Sequence, residues 1–183
     1  MERNSLVLGI DLGTSGVRIA VINNEYLIVH FSSSKYREGL HNCEDWKKCC
    51  QELIKEIPDE IKKRLIACSV DGTSGTLMGC NYEGIPLGKA LPYFIQCDES
   101  QSELKKISNI KSQCFPTSFG RAMRLIKRYG KEIFLRHQAD WITGWLLNDW
   151  KLGEEGNNIR LGWDLIKHTW PEKYKELSWS NAL

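Results

Sequence analysis

The chain has 183 residues, 42% hydrophobic and 26% charged, with a formal net charge of +2. That length buries one sizeable core or two small ones, and the composition is ordinary for a soluble globular domain. Near-neutral charge gives no footing for a nucleic-acid partner, and the lack of an apolar run of about eighteen residues excludes a helical membrane span.

Met1-Glu2-Arg3-Asn4 leads straight into strand-like sequence with no secretory leader, so the expected location is cytoplasmic, with no membrane partner. The seven cysteines are odd in number, lack a C-x-x-C pair and lack zinc spacing with histidine. They read as reduced thiols.

The first element is Leu6 to Asn23, LVLGIDLGTSGVRIAVIN. An apolar run ends in Asp11, passes through Gly13-Thr14-Ser15-Gly16 and resumes as a β-branched run: strand, tight turn, strand. Gly13 and Gly16 are free to take positive φ and let backbone N–H groups converge, and Thr14 and Ser15 add hydroxyl donors. Such a turn cradles phosphate oxygens, and Asp11 stands where a hydrated Mg²⁺ on that phosphate needs a carboxylate. The competing reading is a plain hairpin whose polar residues satisfy the turn and nothing more.

Glu25 to Phe31 is expected as a third strand after an Asn23-Asn24 turn, completing an antiparallel meander closed by Ser32-Ser33-Ser34. Trp46 to Ile57 follows as a helix, with Trp46, Cys49, Cys50, Leu53, Ile54 and Ile57 at helical spacing and Pro58 as its stop. Leu65 to Val70 is apolar enough to be a central strand covered on both faces.

That strand runs into Asp71-Gly72-Thr73-Ser74-Gly75, which repeats the vocabulary of the first turn. Ligands of open α/β sheets gather beyond the carboxyl ends of strands, so the expectation is that both turns face one cleft. A simple Asp-Gly turn is the alternative. Thr76 to Asn81 and Gly84 to Tyr93 continue as strand, turn and extended segment. Asp98 to Ile110 reads as a surface helix.

Phe119, Ala122, Met123, Ile126 and Tyr129 form a helical stripe ended by Gly130. Arg121, Arg124, Lys127 and Arg128 around it read as a solvated face rather than a phosphate patch. Glu132 to Leu135 is a short apolar stretch and Ala139 to Leu147 a helix. The tryptophans of the last third read as core. His137 and His168 have no partner at a catalytic spacing and are taken as structural. With no linker and no long repeat, a single domain over 1–183 is expected.

Several blocks together resemble the FGGY carbohydrate kinases, within the actin-like ATPase superfamily: LGIDLGTSGVRIAVI, SVDGTSGTLMGCNYEGIPLGKALPYF, and HQADWITGWLL followed by NNIRLGWD. The pattern DGTSGT, then ADW, then NN-x-x-x-LG is most similar to the cyanobacterial and plant branch described as D-ribulose or D-xylulose kinase-like. The resemblance implies an α/β fold: a ribonuclease-H-like half-domain whose mixed sheet opens with three antiparallel strands, with helices on both faces. It also implies transfer of the ATP γ-phosphoryl group to a small sugar, with ATP and Mg²⁺ as cofactors.

By that resemblance Asp11 organises Mg²⁺ and the transferring phosphate, and Gly13, Thr14 and Ser15 line the phosphate turn. Asp71, Ser74 and Gly75 lie on the sugar side with Tyr93 beside them. The family's W-x-D-x-R motif is replaced here by Tyr93-Phe94-Ile95-Gln96-Cys97-Asp98, which leaves the sugar open. The general-base Asp belongs, in the family, to a Gly-rich segment of a further portion, so the expectation is an N-terminal part lacking kinase activity alone. The alternative from another class is a non-catalytic sugar- or partner-binding module that pairs with itself, as a homodimer, or with a partner through the face left by the missing lobe.

Overall fold

The computed structural model describes residues 5–97, 116–172, 174 and 183. They form two compact units, Met1–Thr73 and Ser74–Leu183.

In the first unit, β1 (Leu6–Leu12), β2 (Gly16–Ile22) and β3 (Ile28–Lys35) form the antiparallel meander. The chain then runs through α1 (Cys43–Glu56) and the single turn α2 (Asp59–Lys62) into β4 (Leu65–Gly72), which pairs parallel to β1. The sheet order is β3-β2-β1-β4. Period-two alternation puts Leu6, Leu8, Ile10 and Leu12 of β1 and Val17, Ile19 and Val21 of β2 in the core. Helix α1 packs on β2 and β3, burying Trp46, Cys49, Cys50 and Leu53. Trp46 is fully enclosed, and its indole N–H donates to the Leu40 carbonyl at 3.1 Å.

Four expectations change here. The third strand begins at Ile28 rather than Glu25, because Asn23 Oδ1 accepts from the Glu25 and Leu27 amides and holds residues 23–27 as a loop, with Tyr26 at φ 62°. The strand therefore extends through Ser32-Ser33-Ser34, which pair with Ile19, Arg18 and Val17. Among the described residues strand β4 has a single neighbour and buries none of its residues, so there it stands at the edge of the sheet rather than at its centre. Helices on both faces are not seen among the described residues of this unit, where α1 covers one face and the other leaves Arg18, Phe31 and Asp71 exposed.

The second unit is built on β5 (Leu77–Cys80) and β6 (Phe134–His137), an antiparallel pair with Leu77 opposite His137. The helices are α3 (Pro116–Tyr129), α4 (Gln138–Leu147) and the short α5 (Glu155–Asn158), which continues as a 3₁₀ turn, Ile159–Leu161. Leu77, Phe119, Ala122, Leu125, Leu135 and Leu161 make the centre of its core.

Helix α3 stops where Gly130 takes φ +87° and returns its amide to the Ile126 carbonyl at 2.8 Å. Trp141 is buried in the core and Trp150 acts as a clamp. The ring of Trp150 lies against Gly84 and Gly144, where a Cβ on either glycine would collide with it, and the Trp141 indole donates to the Gly84 carbonyl at 2.9 Å. The expected surface helix over 98–110 lies outside the described residues.

Candidate functional site

The first turn is a formed structure. The Gly13 amide donates to the Gly16 carbonyl at 2.9 Å, and the Tyr36 amide donates to the Ser15 carbonyl at 3.0 Å. Neither Gly13 nor Gly16 has positive φ, so the glycines are not there for a left-handed turn. Gly16 is required by proximity: a Cβ would run into the Ser34 backbone of the paired strand. Thr14 and Ser15 are exposed, and their amides and hydroxyls have no protein partner among the described residues. Four donors are thus open to a ligand, in a cleft of about 560 Å³ that Arg18 and Lys35 also line.

Asp11 lies one register step from this turn, on the open face of the sheet. It faces Arg18 across the β1–β2 pair, and the two side chains form an ion pair at 2.5 Å. Both are about half exposed, so the pair holds geometry more than it adds stability.

On the other side of Asp11, in register on β4, stands Asp71, whose Oδ1 accepts from the Gly72 amide at 2.8 Å. Asp11, Asp71, Arg18, Ser69 and Phe31 line a cleft of about 400 Å³. The sequence reading groups Asp71 with Ser74 and Gly75. Within the first unit the register sets Asp71 beside Asp11.

Two carboxylates on neighbouring strands suit a Mg²⁺ that keeps most of its water and takes its remaining oxygens from phosphates. Among the described residues no group of three His, Cys, Asp or Glu side chains could hold a metal ion by itself. Asp11 and Asp71 fit the two-carboxylate donor set.

Ser74, Gly75 and Tyr93 come together in the second unit. Gly75 has φ +86°, and a Cβ there would sit 3.1 Å from Ser118 Oγ and 3.2 Å from Arg121 Nη2, with Tyr93 Cβ at 3.7 Å. This is the turn where glycine's left-handed freedom is used. The Tyr93 amide donates to Thr76 Oγ1 at 3.3 Å, and its ring is 44% exposed.

Arg121 corrects the reading of a solvated basic face. It is 1% exposed, donating through Nη1 to the Tyr93 and Ile95 carbonyls at 2.9 and 3.0 Å and through Nη2 to Ser118 Oγ at 2.8 Å. Burial lowers its pKa, and the nearby Arg160 adds to that. Its function is to pin the 93–95 segment over the turn.

Three functional candidates carry no local motif. Arg18 is visible only through its place in the β2 alternation, opposite Asp11. Lys35 enters through the register of β3. Arg160 reaches the second turn from the 3₁₀ element, where its Nε donates to Ser74 Oγ at 3.1 Å.

The same region holds His137, fully buried with both ring nitrogens unpartnered. Desolvation, then the charges of Arg121, Arg136 and Arg160, push its pKa down to about 3. The ring is therefore neutral near pH 7.

The sequence matches no protein-family model. The fold, however, is shared with solved sugar kinases. Xylulose kinase from Rhodospirillum rubrum superposes with a TM-score of 0.77 at 15% identity, covering 94% of this chain and 41% of that one. Glycerol kinase from Plasmodium falciparum, solved with ADP, gives 0.75 at 16% identity over 97% of this chain and 41% of that one. Gluconate kinase from Lactobacillus acidophilus gives 0.65 at 12% identity over 95% and 39%. The chain therefore has the fold of a part of these kinases, and it spans about two fifths of their length.

Proposed function

We propose that the protein is part of an FGGY-type carbohydrate kinase that transfers the γ-phosphoryl group of ATP to a small sugar, with a ketopentose such as D-ribulose or D-xylulose as the first acceptor to test. The observation that carries this is the pre-formed first turn: the Thr14 and Ser15 amides and hydroxyls, without a partner among the described residues, line one cleft on a fold shared with sugar kinases. Phosphoryl transfer is catalysed by positioning and electrostatic stabilisation, and donors of this kind supply both for phosphate oxygens. Thr14 and Ser15 hold the phosphate, Asp11 with Asp71 orders the water shell of Mg²⁺, and Ser74, Gly75 and Tyr93 serve the sugar.

Amide-resolved NMR of the full chain tests the nucleotide half of this reading. Adding ADP with Mg²⁺ is expected to move the Thr14 and Ser15 resonances, and Asp11→Asn is expected to remove the Mg²⁺ dependence of that shift. Movement elsewhere with those two amides unchanged would refute the assignment.

A second reading, a non-catalytic module that self-associates, draws on the exposed apolar residues Tyr26, Leu27, Ile28 and Phe31 of the hairpin and Ile66 of β4. Sedimentation equilibrium separates the two, since a monomer at high micromolar concentration removes the basis for a homodimer.

A further inference from the structure

The open face of the first sheet carries a row of polar side chains that starts at the first turn. Antiparallel pairing sets Lys35 opposite Gly16 and Ser33 opposite Arg18, so Lys35, Ser33 and Arg18 share that face. Lys35 stands at the turn end of the row, about 6.6 Å of strand from the level of Arg18. Arg18 lines both the turn cleft and the cleft that holds Asp11 and Asp71, so the row runs from one into the other.

The two cations of this row are in different states. Arg18 is already paired with Asp11 at 2.5 Å. Lys35 is exposed, and its ammonium has no partner among the described residues. No carboxylate is among the described residues that line the turn cleft, so the charge of Lys35 is not compensated there. Its backbone, in contrast, is held. A Cβ on Gly16 would come within 2.9 Å of Lys35 Cα, and the amide of the next residue, Tyr36, donates to the Ser15 carbonyl at 3.0 Å. An unpaired ammonium on a fixed root therefore stands beside the Thr14 and Ser15 donors.

A lone phosphate on those donors needs nothing further along the row. A polyphosphate carries charge on each of its phosphate groups, and a Mg²⁺ held at Asp11 neutralises those at that end. The group at the other end then needs a cation of its own, and a lysine ammonium, a compact charge with three donors, suits it. We propose that Lys35 holds the phosphate group of a polyphosphate that lies farther from Asp11, and so makes this cleft select a diphosphate or longer chain over a lone phosphate. The proposal rests on the reading of the first turn as the phosphate side.

Amide-resolved NMR titrations of the full chain with inorganic phosphate and with pyrophosphate, both with Mg²⁺ and at fixed ionic strength, test it through the Thr14 and Ser15 resonances. Lys35→Gln is expected to weaken pyrophosphate about fivefold or more, the size of one charge-assisted contact in a partly exposed site, and to leave inorganic phosphate nearly unchanged. Lys35→Arg, which keeps the charge, should retain the preference for pyrophosphate. Lys63→Gln, the same loss of charge at an exposed position outside the cleft, should leave both affinities as they are. Equal weakening of both ligands by Lys35→Gln, an effect no larger than that of Lys63→Gln, or a loss that Lys35→Arg shares overturns the role of Lys35 and leaves the first-turn reading standing. If neither ligand moves the two amides, both readings fall.

Discussion

His137 and Asp140 sit three residues apart in the second unit and respond to acid in opposite senses. His137 is held neutral, so between its ordinary pKa of 6.5 and about 3 the unfolded chain binds a proton that the folded one does not, and stability falls as pH falls through that window. Asp140 is raised from 3.8 to about 6, first by burial, although it accepts from the Glu154 amide at 3.1 Å and from the Asn157 side chain. Between those values the folded state holds the extra proton, so stability falls as pH rises. From pH 6 down to about 4 the two slopes oppose each other. Asp140→Asn keeps an acceptor oxygen but removes the titration, so its stability should acquire an additional acid sensitivity of about 1.4 kcal/mol per pH unit relative to the parent. Urea midpoints of both proteins at pH 7, 6, 5 and 4 check it. Parallel pH profiles would show that the Asp140 pKa is the same in the folded and unfolded chain. Site residues differ in how far sequence revealed them. Asp11, Thr14, Ser15 and Ser74 lie within recognisable turns, whereas Arg18 and Arg160 are recruited by pairing and by a fold-back of 86 residues, which no local pattern encodes.

At the scale of elements, α1 shows how a few side chains fix a boundary. Asn42 at its N-cap accepts from the Asp45 amide at 3.2 Å, and Glu44 and Asp45 place negative charge at the positive end of the helix. Asn42→Ala should therefore cost about 1 kcal/mol, read as a lower urea midpoint with an unchanged slope. An unchanged midpoint would mean that sheet packing alone sets where α1 begins. Helical spacing located α1 because its apolar stripe is regular, yet the start at Cys43 precedes the first tryptophan of that stripe and is set by the cap. Apolar content located β4 but misjudged its neighbours, since Leu65 to Val70 states an affinity for sheet without stating how many strands flank it. The end of helix α3 at Gly130 is legible in the sequence, whereas its start at Pro116 precedes the apolar stripe that opens at Phe119. The burial of Arg121 is not legible, because the carbonyls that receive it belong to Tyr93 and Ile95, 28 and 26 residues away.

For the whole molecule, the two units each close a core of their own, one between α1 and the inner face of its sheet and the other around Phe119 and Leu77. Kinases of the shared fold are more than twice the length of this chain. We accordingly expect the 183-residue polypeptide alone to give no turnover in a coupled assay with ATP, Mg²⁺ and D-ribulose or D-xylulose. Phosphate consumption at ordinary enzyme rates would show that these residues hold a complete catalytic set. The close approach of Gly16 to Ser34 bears on what any nucleotide would encounter. With the bend wedged against its partner strand and the Tyr36 amide fastened to Ser15, the loop has little conformational entropy left to surrender. On the proposed reading, a phosphate held at this turn would lose little binding free energy to ordering of the loop, and its occupancy would follow the quality of its contacts.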